Sequence, residues 1–172
     1  MIASSALIYH IMKSHKGLST TYHRLVFGLS ICDIMSSFAN ASSTSFPPKE
    51  LNYYIPYAAG NMTSCSFQGF FVAVIGTIAS CYHVSICFYY LAIIRYNKNE
   101  TYIARKLEPW FHLLPLVFNT TLGIILLTAK GFNNADGGLC FLDNYIPPHC
   151  IGYEKGFVNV AEGFTVPCLR GD

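Results

Sequence analysis

Two stretches of this chain, Phe67 to Ile94 and Trp110 to Ala129, contain no Asp, Glu, Lys or Arg, and a third, Leu25 to Phe46, contains only Asp33. A helix needs about 20 apolar residues to cross the hydrocarbon core of a bilayer, within a range of about 17 to 25. Each of the three runs meets that length. Soluble domains carry roughly 25% charged residues, whereas this chain has 12%, with 52% hydrophobic residues and a net charge of +2. So little charge leaves a water-soluble surface uncovered. The near-neutral balance also gives no reason to expect a nucleic-acid partner. The sequence therefore excludes a disordered chain and an ordinary soluble domain, and predicts an all-α membrane protein.

The short apolar run Ile2 to Met12 is too short to cross, and its basic residues follow it instead of preceding it, unlike a secretory signal. It reads as the inner part of a transmembrane helix, residues 1–12. Lys and Arg near helix ends stay cytoplasmic. The loop 13–24 holds Lys13, Lys16 and Arg24, and the loop 95–109 holds Arg95, Lys98, Arg105 and Lys106, while the loop 47–64 holds only Lys49. Seven against one places 13–24 and 95–109 inside and 47–64 outside, with spans at 25–46, 65–94 and 110–129. By alternation, 130–172 is an extracellular loop containing cysteines. The expected location is a membrane crossed several times, the plasma membrane in particular.

Cysteine placement follows the same topology. Cys65, Cys140, Cys150 and Cys168 lie outside, where disulfides persist, and Cys32, Cys81 and Cys87 lie within spans. The four outer cysteines allow three pairings. The sequon Asn61-Met62-Thr63 also falls outside, so Asn61 is the candidate glycosylation site, while those at Asn40, Asn99 and Asn119 are intramembrane or cytoplasmic and stay bare.

Asp33 sits mid-span, where an acid costs about 2.5 to 3.5 kcal/mol on insertion scales and is usually turned to a bundle interior. Ser36, Ser37, Asn40 and Thr44 follow at helical spacing on its face. They form a candidate polar interior or cation site, or a seam of interhelical hydrogen bonds. Gly76 and Ser80, continued by His83 and Cys87, form a small-residue face suited to close helix packing. No phosphate loop, H-E-x-x-H or C-x-x-C pattern is present. The chain is expected to be no enzyme and to hold no metal or cofactor.

His23-Arg24-Leu25 followed by Gly28-Leu29-Ser30-Ile31-Cys32-Asp33, the stretch Asn61 to Phe71 headed by Cys65, and Trp110 early in a later span together resemble the seven-helix G-protein-coupled receptors, in particular divergent protist forms of the rhodopsin-like group. The resemblance covers the end of helix one, helices two to four and the following extracellular loop, that is, part of a seven-helix bundle. At the place of the family's Asp-Arg-Tyr this chain has Phe88-Tyr89-Tyr90, and Ile94-Arg95-Tyr96 lies about two turns further on. The resemblance makes Tyr89, Tyr90 and Arg95 the residues facing a heterotrimeric G protein in a full-length receptor. It also implies an extracellular ligand of unknown chemistry. Leu139-Cys140-Phe141 resembles the family's loop cysteine, which implies a Cys65–Cys140 disulfide and leaves Cys150 and Cys168 as a second pair.

Two other classes fit parts of the pattern. A four-helix membrane scaffold of the tetraspanin type has a large outer loop with cysteines, but the tetraspanin Cys-Cys-Gly signature is missing here. A piece of a transporter would explain Asp33 and His83, but no internal hydropathy repeat accompanies them.

Overall fold

The computed structural model describes residues 1–49, 56–134, 139–142, 150–151 and 159–160, the last four and 133–134 by their backbone alone. It is mostly helical: α1 (Ile2–Lys13), α2 (Thr21–Ala41), α3 (Met62–Ile94), α4 (Glu100–Lys106) and α5 (Glu108–Thr128). Two small antiparallel ribbons follow, β1 (Asn133–Asn134) with β2 (Cys140–Phe141) and β3 (Cys150–Ile151) with β4 (Asn159–Val160). The chain divides into two compact units, Met1–Phe38 with Val74–Thr121 and Ala39–Ala73 with Leu122–Asp172.

Helix boundaries follow local chemistry. Asn61 caps α3 reciprocally with Ser64: its Oδ1 accepts from the Ser64 N–H (2.8 Å), and the Asn61 N–H donates to Ser64 Oγ (2.8 Å). This is a capping-box arrangement that satisfies two otherwise orphan donors. Past the other end of α3, Asn97 has a positive φ of 48°, a left-handed conformation that stops a helix and that Asn tolerates better than most residues. Asn99 then caps α4, accepting from the Tyr102 N–H at 2.9 Å. The loop expected at 95–109 therefore contains a seven-residue helix of its own. Past α5, the Gly131 N–H returns to the Leu126 carbonyl (2.8 Å), with Lys130 in the left-handed region.

Within the first unit the core joins Leu25 of α2, Tyr89 and Ala92 of α3 and Ile103 of α4, with Leu107 and Phe111 packed against them. Gly28 allows the close approach of Tyr82, since a Cβ there would stand 2.9 Å from the tyrosine ring. In the second unit Cys65, Phe132 and Cys140 are buried together. The Pro48–Gly60 bridge holds the chain before α3: the Gly60 N–H donates to the Pro47 carbonyl and the Lys49 N–H to the Gly60 carbonyl.

Two helical stretches are long and apolar enough to cross a membrane, Met62–Ile94 and Glu100–Thr128. Among the described residues α2 does not reach that apolarity, although its length suffices. Arg24, Asp33, Ser36, Ser37 and Asn40 lower its apolarity, so the span expected there rests on length alone. The two apolar stretches are mostly uncovered: only 22% of the apolar window of Met62–Ile94 and 11% of that of Glu100–Thr128 is buried. On α5, Leu114, Leu116, Phe118 and Ile125 are all more than half exposed.

Candidate functional site

A polar cluster gathers within the first unit, where the starts of α2, α4 and α5 and the C-terminal part of α3 supply its members. Arg24 of α2 forms a fork with Glu108 of α5: Nε donates to Oε1, and Nη2 donates to Oε2 at 2.6 Å. Two parallel N–H···O bonds between guanidinium and carboxylate are among the stronger charge-assisted arrangements. Thr21 Oγ1 donates to the same Oε2 at 3.0 Å. His112, one turn along α5, places Nε2 3.7 Å from Glu108 Oε1, and its Nδ1 lies 2.9 Å from the Tyr82 hydroxyl.

Glu100 of α4 holds the other side. Its Oε1 accepts from the backbone N–H of Thr21 (2.5 Å), the first residue of α2, and its Oε2 accepts from the Tyr89 hydroxyl (3.0 Å). The first N–H groups of a helix have no partner within it and carry the positive end of its dipole. A carboxylate placed there satisfies a donor and gains electrostatically. The cluster thus balances two carboxylates against one guanidinium, one helix terminus and two hydroxyls.

Arg24 and Glu108 lie just before the spans expected from the sequence at 25–46 and 110–129. Burial pushes the Glu108 carboxyl up, but hydrogen bonds from Arg24 and Thr21 outweigh it and hold it below the usual carboxylate range. The bond to Glu108 in turn raises the Arg24 guanidinium, against a smaller opposing effect of its burial.

The residues singled out from the sequence fall in several places. Cys65 and Cys140 are bonded, with Cα atoms 5.3 Å apart, and both are fully buried. Gly69, one turn into α3 from Cys65, leaves room for this arrangement, since a Cβ there would stand 2.8 Å from Phe132 and 3.1 Å from the Cys140 carbonyl oxygen. Of the expected second pair, Cys168 and the side chain of Cys150 lie outside the described residues. Asn61 is exposed and caps α3 through Oδ1.

Asp33, Ser36 and Ser37 are half-buried, while Asn40 is exposed. Beyond Thr21, the buried residues of α2 are Leu25, Val26, Leu29, Ser30, Cys32 and Ala39, and Asp33 lies on the same helical arc as Val26, Leu29 and Ser30, with Ile31 and Phe38 exposed on the other side. Tyr89 is buried and committed to Glu100, whereas Tyr90 and Arg95 are exposed. No atom lies within 4 Å of where a Gly76 Cβ would stand, and Ser80, His83 and Cys87 are exposed, so the small-residue face of α3 has no packing partner among the described residues. No group of three metal-ligating side chains comes together among them either.

Sequence reasoning missed Glu100 and Glu108. Their signal was that two of only nine acids sit at helix starts within the most basic loop of the chain. Comparison with protein-family models, curated proteins and solved structures found no match to this chain.

Proposed function

We propose that the chain forms part of a multi-pass membrane receptor of the seven-helix type, carrying an extracellular ligand signal to a heterotrimeric G protein. The observation that carries the membrane reading is the exposure of α5. A helix that leaves Leu114, Leu116, Val117, Phe118, Ile124 and Ile125 uncovered is untenable in water yet ordinary against lipid or neighbouring helices. A core helix of a soluble protein would be mostly buried, and this one is not.

The receptor reading draws on the family resemblance and on two supports. The disulfide from the start of α3 to the segment after α5 tethers a ligand-side loop. The Arg24–Glu108 fork and Glu100 fix the helix ends on the side that the Lys and Arg distribution assigns to the cytoplasm. In this reading Tyr90 and Arg95 remain accessible to the G protein, and Tyr89 sets the position of α4 beside them.

Topology is tested by placing single cysteines at positions 61 and 98 and treating intact cells with an impermeant maleimide. Labelling at 61 and protection at 98 are expected; labelling at 98 overturns the topology. The receptor assignment is tested by nucleotide exchange on a purified heterotrimeric G protein in membranes carrying the full-length receptor. Arg95→Ala lowers exchange if the assignment holds, and exchange indifferent to the receptor's presence overturns it.

A further inference from the structure

A cavity of about 410 Å³ opens in the first unit between the turn before α2, α2 itself and the C-terminal end of α3. Lys16, Thr20, Tyr22, His23, Tyr90 and Ile94 are among the residues that line it. Among the described residues no carboxylate lines it. The acids of the adjoining cluster are committed elsewhere, Glu100 to Thr21 and Tyr89, and Glu108 to Arg24.

His23 is oriented for a ligand. Its Nδ1 lies 2.7 Å from the Gly17 carbonyl oxygen, which only accepts, so Nδ1 carries a proton and Nε2 is left for another group: in the neutral ring it accepts from a phosphate P–OH, and in the imidazolium it donates to a phosphate oxygen. Lys16 is exposed in the turn beside it and brings a full positive charge. The Tyr22 and Tyr90 rings stand 5.8 Å apart with their hydroxyls hydrogen-bonded to each other, which leaves one hydroxyl proton for a ligand, while Ile94 is 79% exposed. Cationic and hydroxyl groups beside bare hydrocarbon match an amphiphile with an anionic head. Basic pockets at the cytoplasmic ends of membrane helices meet such lipids in the inner leaflet.

We propose that this cavity seats the phosphorylated headgroup of an anionic membrane lipid, a phosphate monoester on a polyol, with Lys16 and His23 at the phosphate and Ile94 beside the glycerol. This rests on the reading of the chain as membrane-embedded with this end cytoplasmic. Inorganic phosphate shares the headgroup's chemistry, but it would leave the Ile94 side of the cavity unused.

The test is native mass spectrometry of the purified chain in detergent micelles with a short-chain phosphatidylinositol bisphosphate. One retained lipid is expected, weakened about tenfold by the double variant Lys16→Ala/His23→Ala, since it removes charge-assisted contacts. Lys16→Glu, in an exposed turn where folding is not at stake, should weaken retention at least as much, and Lys106→Ala, which removes the same charge outside the cavity, should leave it within about twofold. Equal retention by all variants, or none by the wild type, overturns the site. Displacement of the lipid by an equal concentration of inorganic phosphate overturns the lipid as its source. Flotation of the wild type with phosphatidylcholine vesicles reads the membrane assignment separately: a chain that binds lipid in micelles but fails to float overturns the embedded reading on which the proposal rests.

Discussion

Arg24 and Glu108, 84 positions apart in sequence, meet through both arms of the guanidinium and both oxygens of the carboxylate. The carboxylate is largely buried, and Thr21 adds a third donor to it. Removing one partner therefore leaves a charge that water reaches poorly.

Arg24→Gln and Glu108→Gln should each destabilise the chain in detergent, by about 2 to 3 kcal/mol, toward the low end for a buried pair because Arg24 is partly solvated. The double variant should lose less than the sum, giving a coupling of about 1 to 2 kcal/mol in a double-mutant cycle. Thermal unfolding of all four proteins measures it. Additivity within about 0.3 kcal/mol would mean that the fork contributes nothing specific.

Because the folded state holds the Glu108 carboxyl below its ordinary value, the unfolded chain binds the proton more tightly. The stabilisation is therefore fully present above the ordinary carboxylate range, about 4.3 for Glu, and is lost as the pH falls through the lower folded value. The melting temperature of the wild type should fall on acidification across that window. Glu108→Gln should flatten this part of the profile, and an unchanged acid limb would remove Glu108 as its source.

Peptide mapping of unreduced protein should recover Cys65 linked to Cys140 and to neither Cys150 nor Cys168. The bond spans 75 positions. Restricting a loop of that length in the unfolded chain stabilises by roughly 4 kcal/mol in the chain-entropy account. Cys65→Ser should lower the unfolding midpoint accordingly, to the same extent as Cys140→Ser, and unequal effects would indicate another partner.

Asn61 combines a sequon with a helix cap, and the two roles separate by substitution. Asn61→Asp keeps an acceptor for the Ser64 N–H but removes the glycan acceptor, so any gel shift from glycosylation should vanish with stability nearly retained. Asn61→Ala should lose both, with a cost of about 1 kcal/mol for the missing cap. Equal stability of the two variants would show that the Ser64 hydrogen bond is not stabilising.

The charge-free runs Phe67 to Ile94 and Trp110 to Ala129 made α3 and α5 legible in the sequence, because hydrocarbon thickness fixes a length that a linear pattern displays directly. The resemblance of Leu139-Cys140-Phe141 to a loop cysteine named the same partner for Cys65 that the structure joins to it. The start of α2 was less legible. Thr21 to Arg24 are polar and read as loop, yet they are helical because Glu100 satisfies the Thr21 N–H and Glu108 takes up Arg24. The stripe beginning at Asp33 showed which residues share a face of α2, and the buried Val26, Leu29 and Ser30 lie seven, four and three positions before Asp33 on that face.

What the sequence determined by itself was therefore local and one-dimensional: the apolar lengths and the segregation of positive charge between loops. Tertiary structure alone decided that Tyr89 would be buried against Glu100 instead of exposed beside Tyr90, and that Arg24 would find Glu108. Spacing within one helix specifies which side chains share a face, but not which distant helix that face meets. An ion pair or a buried hydroxyl is defined by the meeting of two such faces.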